Sequence, residues 1–361
     1  MKTTPENMRI DRLRRLMEAA GVSSLLVTRR EDVRYLTGFT GSAGSLLVSS
    51  GKPFLITDFR YQLQAAREAK NALIVIQKKD FFTAFREVAD GKGIRAIWFD
   101  ESSLTVDLLK QLKETGLKAK GSRNLVQNLR MRKDRSELVR LRKAIARAEQ
   151  AFCDLKPFIK PGVSERFLGL KLEFFMRAHG AKKTAFDSII ASGGNGAMPH
   201  ATVTNRRIRS GDLVTFDFGA EADGYYCDMT RTYCIGRPAP RQRMIHETVL
   251  SAQAEAIKLV RPGVLCKTVD SGARDFIKRS GYGSRFGHGT GHGIGLMVHE
   301  GPSVSPLSKD VVEKDMVFTV EPGIYIPGWG GVRIEDMVLA TDTGVKMLTS
   351  LPRELDGLRM L

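Results

Sequence analysis

Along the first 130 residues, short apolar runs alternate with stretches of helical period. The runs at 24–28, 45–48, 54–57, 73–76 and 96–99 predict strands, and 8–20, 61–70 and 104–114 predict helices. Thr4, Pro5 and Glu6 read as the cap and first turn of the first helix, which carries Ile10, Leu13, Leu16 and Met17 on one face. This alternation points to a small α/β domain whose sheet is mostly covered. The segment 38–44 (GFTGSAG) packs three glycines into a turn. It lacks the following helix and the Lys-Ser/Thr pair that a phosphate-cradling loop needs.

From about Arg132 the chain repeats itself. FIKPGVSERFLGLKLEFFMRAHG, from Phe158, is matched by LVRPGVLCKTVDSGARDFIKRSG, from Leu259. Each reads as a Pro-Gly turn, an amphipathic helix and a glycine stop. SGDLVTFDFGA, from Ser210, is echoed by EKDMVFTVEPGI, from Glu313. Asp217 lies 56 residues after Pro161 and Glu321 lies 59 after Pro262; Asp228 follows 11 residues later and Glu335 14 later. Two copies of one unit related by a pseudo-twofold axis would bring these four carboxylates together.

Strand alternation sharpens the point. Val214, Phe216 and Phe218 share one face, and Thr215 and Asp217 the other. Asp228, Thr230 and Thr232 fall together, as do Val317, Thr319 and Glu321, and Arg333 and Glu335. Each acid interrupts an apolar or threonine-rich run, where an unpaired carboxylate is costly. One such acid is ordinarily an edge residue or half of an ion pair. Four at matching places in two half-units need another account. Crowded carboxylates repel, and two divalent cations would balance their four charges. Oxygen donors with an imidazole suit manganese, cobalt or iron, admit zinc and disfavour calcium. The imidazole comes from 288–295 (HGTGHGIG), which is followed by His299 in VHEGP: His288, His292 and His299 are half of the six histidines. His200 is the matching histidine of the first half, whereas His179 and His246 read as surface or packing residues.

At 361 residues the chain fits two domains, placed at 1–131 and 132–361. No run is long and apolar enough for a membrane span or a signal peptide. The four cysteines (Cys153, Cys227, Cys234, Cys266) lack metal or redox spacing, which predicts free thiols and a cytoplasmic setting. The net charge of +17 raises the question of nucleic acid. Its densest stretch, 130–147, keeps Leu138, Leu141, Ile145 and Ala148 at helical period. It therefore reads as the solvated face of an interdomain helix, which argues against a nucleic-acid partner.

The motif series FDFG, CDMTRT, GHGIG, TVEPG and VRIED resembles the pita-bread metallopeptidase family, which includes methionine aminopeptidase, aminopeptidase P and prolidase. The resemblance implies a pita-bread α+β catalytic domain following the α/β domain in the chain. It implies that Asp217 binds one metal, that His292 and Glu321 bind the other, and that Asp228 and Glu335 bridge both. His200, His288 and His299 match the histidines that meet substrate and transition state. Tyr325 and Arg333 fall beside the metal shell, with Arg333 orienting Glu335 and Glu321 shuttling a proton. YLTGFTGSAG, from Tyr35, and ITDFRY, from Ile56, resemble the N-terminal domain of aminopeptidase P. Creatinase shares both domains but lacks the ligands that are intact here. The implied reaction is cleavage before a proline at the second position of a peptide, by a homodimer holding two ions, manganese before cobalt, iron or zinc. Prolidase, which takes only Xaa-Pro dipeptides, is the nearest alternative. A non-catalytic binding protein on the same fold is the more distant one, since such proteins lose ligands.

Overall fold

Thr4 caps the first helix, Pro5–Ala19, its hydroxyl accepting from the Asn7 amide, and Ile10, Leu13 and Met17 form its buried face. The structure, a computed structural model, describes residues 4–359. The chain divides into two units, Met1–Arg130 and Met131–Leu361.

The first unit is built on a six-stranded sheet in the order Leu73–Ile76, Phe54–Thr57, Ser45–Val48, Leu25–Val27, Ala96–Asp100, Lys118–Ser122. The two central pairings, Leu25–Val27 with Ser45–Val48 and Ser45–Val48 with Phe54–Thr57, are antiparallel; the outer ones are parallel. Leu26, Leu47, Ile56, Phe85, Ile97 and Leu112 close the core between sheet and helices. Among the elements beyond the sequence expectation are two helices and one strand. Arg30–Thr37 is short and ends on Gly38 at φ 79°, a left-handed cap that the glycine-rich turn masks. Phe81–Gly91 carries three phenylalanines, which dilute its helical signal. Lys118–Ser122 (KAKGS) is an exposed edge strand with no apolar run to announce it.

The second unit repeats its construction. A long helix, Arg135–Leu155, is followed by Glu165–Ala178 and then antiparallel strands; Pro240–Lys258 and Cys266–Arg279 open the second half in the same way. The basic stretch thus belongs to Arg135–Leu155, which buries Leu141, Ile145, Ala148 and Phe152 inside this unit and turns Arg142 and Lys143 to solvent. Both shorter helices have 14 residues, preceded by Gly162 and Gly263 at φ 91° and 88° and stopped by Gly180 and Gly281 at 85° and 86°. The turns are pinned alike. Gly162 N–H donates to the Ile208 carbonyl as Gly263 does to Val312, and Ile208 answers to Val163 as Val312 does to Val264. Agreement at this level, where the residues differ, establishes the duplication.

The first half carries the three-stranded sheet Met229–Cys234, Leu213–Phe218, Ile189–Ser192; the second carries Glu300–Val304, Gly291–Gly293, Val317–Val320, Asp336–Ala340, Val345–Met347. Phe216 and Phe218 pack on Phe152 of the long helix, which leaves the opposite strand face, with Asp217, turned away from that core. All four cysteines are free. No helix among the described residues is long and apolar enough to cross a membrane.

His246, on Pro240–Lys258, is 2% exposed, and its Nε2 is buried without a hydrogen-bond partner. Desolvation pushes its pKa down to about 4, whereas an unfolded histidine titrates near 6.5. Between those values the unfolded chain binds the extra proton, so stability is lost as pH falls from about 6.5. The full loss is on the order of 3 kcal/mol. Melting temperature should therefore drop less steeply between pH 7 and 4.5 in His246→Leu than in the parent. Parallel curves would show that this histidine carries no part of the acid limb.

Candidate metal centre

Four carboxylates and one histidine converge where the two halves of the second unit meet. Asp217 is the fifth residue of Leu213–Phe218, and Asp228 immediately precedes Met229–Cys234. Glu321 follows Val317–Val320 by one residue, and Glu335 lies between Gly330–Arg333 and Asp336–Ala340. Only Asp217 is thus within a strand; the other three acids sit at strand ends, where the backbone leaves the ladder. Glu335 N–H still donates to the Thr230 carbonyl, tying one sheet to the other.

His292 occupies the middle of Gly291–Gly293, and the flanking glycines have a steric cause. A Cβ on Gly291 would fall 1.9 Å from the Thr319 carbonyl oxygen, and one on Gly293 1.9 Å from that of Gly301. Neighbouring backbone, rather than substrate, makes the close approach there. The His292 amide donates to Thr319 Oγ1 at 3.0 Å, and its Nδ1 lies 3.1 Å from the Gly293 carbonyl. A proton on Nδ1 satisfies that carbonyl and leaves the Nε2 lone pair facing Asp228 Oδ2 at 3.7 Å and Glu321 Oε1 at 3.5 Å. Burial holds the His292 pKa down at about 4, so the ring is neutral.

Donor atoms of Asp228, His292 and Glu335 all lie within 4.8 Å of one another. Asp217 Oδ1, Asp228 Oδ1 and Glu335 Oε1 are buried without a hydrogen-bond donor. Burial first, then the neighbouring carboxylates, raises Asp228 and Glu335 well above the ordinary acid range. Glu321 is raised to about 7, chiefly by burial. Lone pairs facing lone pairs in a dry site call for positive charge, and the donor set fits divalent cations.

Arg333 supplies the fixed part of that charge. Its Nη2 meets Asp217 Oδ2 at 2.6 Å, Nε donates to Thr230 Oγ1 at 3.1 Å, and Nη1 donates to Tyr325 OH at 3.0 Å. The expectation that Arg333 orients Glu335 is corrected in detail. Its direct carboxylate is Asp217, and Glu335 is reached through Thr230, whose hydroxyl donates to Glu335 Oε2 at 2.7 Å. Tyr325 OH in turn lies 2.8 Å from His288 Nε2, while His288 Nδ1 sits 2.8 Å from the Gly289 carbonyl. Burial takes His288 down to about 4 and Tyr325 up to about 12, so a neutral phenol donates to a neutral imidazole. His299 lies beside His292, ring centroids 4.2 Å apart and planes tilted by 48°, and desolvation followed by His200 lowers its pKa. His200 and His299 both face a pocket of about 820 Å³ that also contains the four acids, His288, His292 and Arg333.

Two supports had no sequence signal, because their partners are distant in the chain. Glu165 is fully buried and accepts from Ser192 N–H and Oγ, Asn195 Nδ2, and Thr204 N–H and Oγ1. One carboxylate thus closes both ends of the loop that carries His200. Asp270, itself bound by Arg274, accepts from Thr290 N–H and Oγ1, and Arg274 donates to the carbonyls of Phe286 and His288. Each half anchors its histidine loop on an acid from its shorter helix.

Acids and a neutral imidazole poised for cations, at the floor of a pocket large enough for a peptide, define a hydrolytic metalloenzyme. The comparisons agree. Residues 139–342 match the model of metallopeptidase family M24, and 9–132 match the creatinase/prolidase N-terminal domain. The chain belongs to metallopeptidase family M24. It is 36% identical over 353 residues to the Xaa-Pro dipeptidase of Pyrococcus horikoshii, covering 97% of this chain and 99% of that one. A Bacillus anthracis Xaa-Pro dipeptidase structure superposes with a TM-score of 0.94 at 40% identity, covering 97% and 99% of the two chains. The X-Pro aminopeptidase structure from Thermotoga maritima gives 0.89 at 37%, covering 95% and 99%. The expected α/β domain and pita-bread catalytic domain are those of these relatives.

Proposed function

We propose that the protein removes the first residue from peptides whose second residue is proline, with two divalent cations, manganese first, held by Asp217, Asp228, His292, Glu321 and Glu335. In this reading Asp217 would help hold one ion, His292 and Glu321 would help hold the other, and Asp228 and Glu335 would serve both. The metal requirement is supported by the donor-less carboxylate oxygens of Asp217, Asp228 and Glu335, together with the His292 Nε2 that faces Asp228 and Glu321. Bound cations supply Lewis acidity, lowering the pKa of water and stabilising charge on a carbonyl oxygen.

The chain's own groups do the rest. Arg333 fixes Asp217 and, through Thr230, Glu335. His288 and Tyr325 brace Arg333, so that the acids keep their aim without a substrate. His299, beside His292 and open to the pocket, donates to the carbonyl of the bond being cut. His200 contributes a second donor from the opposite half. Glu321 passes a proton to the leaving nitrogen, a role taken from the family resemblance. A homodimer is the assembly we adopt from the family resemblance.

What carries the choice of peptide over dipeptide is the pocket's size and charge. About 820 Å³ is near the top of the roughly 300–1,000 Å³ range of small-ligand pockets. Among the described residues lining it, Arg333 is committed to Asp217 and Tyr325, and the other cation, Arg166, is exposed. A dipeptide's carboxylate would find no buried cation to hold it. The alternative, cleavage of Xaa-Pro dipeptides alone, is favoured by the likeness to the Pyrococcus and Bacillus dipeptidases. Kinetics on Ala-Pro, Ala-Pro-Ala and Ala-Ala-Ala separate the readings. The tripeptide with proline should be cleaved best and its alanine counterpart hardly at all. Turnover of Ala-Pro alone would make the protein a prolidase, and equal turnover of both tripeptides a general aminopeptidase.

A further inference from the structure

The duplicated halves differ on one exposed surface. On Glu165–Ala178, Phe167, Leu170 and Phe174 are 41%, 65% and 60% exposed, a stripe at helical spacing. On the equally long Cys266–Arg279, the matching positions are Thr268, Ser271 and Asp275, also exposed. The repeated fold therefore accepts polar residues at these places, and here Phe167 and Phe174 touch Phe158 and Phe175 yet leave much of their surface to solvent. Exposed apolar clusters of this kind mark contact surfaces. Lys171 stands among them, its ammonium 5.0 Å from the Phe158 ring and 5.8 Å from those of Phe167, Phe174 and Phe175. Four rings around one cation hold the stripe in a fixed arrangement.

The stripe is continuous with the catalytic pocket. Arg166, Gly169, Leu170 and Glu173 of the same helix line that pocket, and Leu170 belongs to both surfaces. Gly169 lines the pocket without a side chain; the matching residue in the other half is the buried Asp270. We propose that Phe167, Leu170 and Phe174 form an extended subsite for apolar residues of the peptide beyond the proline. This inference rests on the aminopeptidase reading: with the first residue at the acids, everything after the proline must leave through the mouth. The exposed area of three such side chains is on the order of 300 Å². A stable dimer needs about 800 Å² per partner, so the stripe matches a few peptide residues better than a second copy.

The test compares the parent with Phe167→Thr/Phe174→Asn, which approximates the second half and leaves the pocket lining intact. The substrates are Ala-Pro-Ala and two hexapeptides that extend it with three phenylalanines or three serines. In the parent, kcat/KM for the phenylalanine peptide should exceed that for the serine peptide about fivefold or more, through KM. In the variant the two should converge, with Ala-Pro-Ala kinetics and melting temperature unchanged. A preference that persists in the variant, or is missing from the parent, overturns the subsite. So does a variant whose oligomeric state changes while the preference stays, which would make the stripe a contact between copies. If the parent cleaves only Ala-Pro, the aminopeptidase reading itself fails and takes the subsite with it.

Discussion

Glu335→Gln should cost at least about 10³-fold in turnover, equivalent to the several kcal/mol that Lewis-acid catalysis supplies, and should lower bound metal below two ions per chain. The amide keeps the side chain's shape and can still accept from Thr230, whose hydroxyl lies 2.7 Å from Glu335 Oε2. What it removes is the negative charge of a 2% exposed carboxylate packed against Asp228 and His292. Without metal that charge has no compensation beyond Arg333, so the substitution relieves repulsion. The metal-free variant should therefore melt no lower than the metal-free parent at neutral pH, while the parent alone gains stability on adding manganese. Metal analysis, turnover and paired melting curves check this. Normal metal content and rate in the variant would remove Glu335 from the bridging role.

The second large effect separates two neighbouring histidines. His292→Ala should deplete metal, because its Nε2 is the group aimed at Asp228 and Glu321. His299→Ala should keep near-normal metal and lose about 10²–10³-fold in turnover, the usual cost of one donor to a developing oxyanion. Their rings are 4.2 Å apart, so a packing role for His299 would appear as a lower melting temperature with activity retained in the folded fraction. Loss of metal from His299→Ala but not from His292→Ala would reverse the two assignments.

These residues stand out in the sequence because each violates a local rule. An aspartate inside an apolar strand or a histidine between two glycines has no local reason to be there, and the duplication shows the same violation twice. The supports around them obey local rules and stay hidden. Glu165 reads as an ordinary acidic first turn behind the Ser164 cap, yet its carboxylate gathers donors up to 39 residues away. Thr230 looks like any strand threonine, although it links Arg333 to Glu335. Arg333 stands beside Glu335 in the chain, which suggests that pairing, while its true carboxylate partner is Asp217, 116 residues earlier. In the first unit the same limit applies to Lys118–Ser122, a strand defined by pairing with Ala96–Asp100 rather than by its own residues.

The matched turns at Gly162 and Gly263 bear on how such a centre could arise. A chain half as long, self-associating about a twofold axis, would present the same patch from both copies, as an isologous interface requires. Each copy would bring two acids to the axis, and the constellation would be complete before any fusion of the two coding segments. Joining them would free the copies to diverge. One shorter helix now carries Gly169 against the pocket, while its twin carries Asp270 at the equivalent place. One position of the repeat is thus a bare stretch of pocket lining on one side and an anchor on the other.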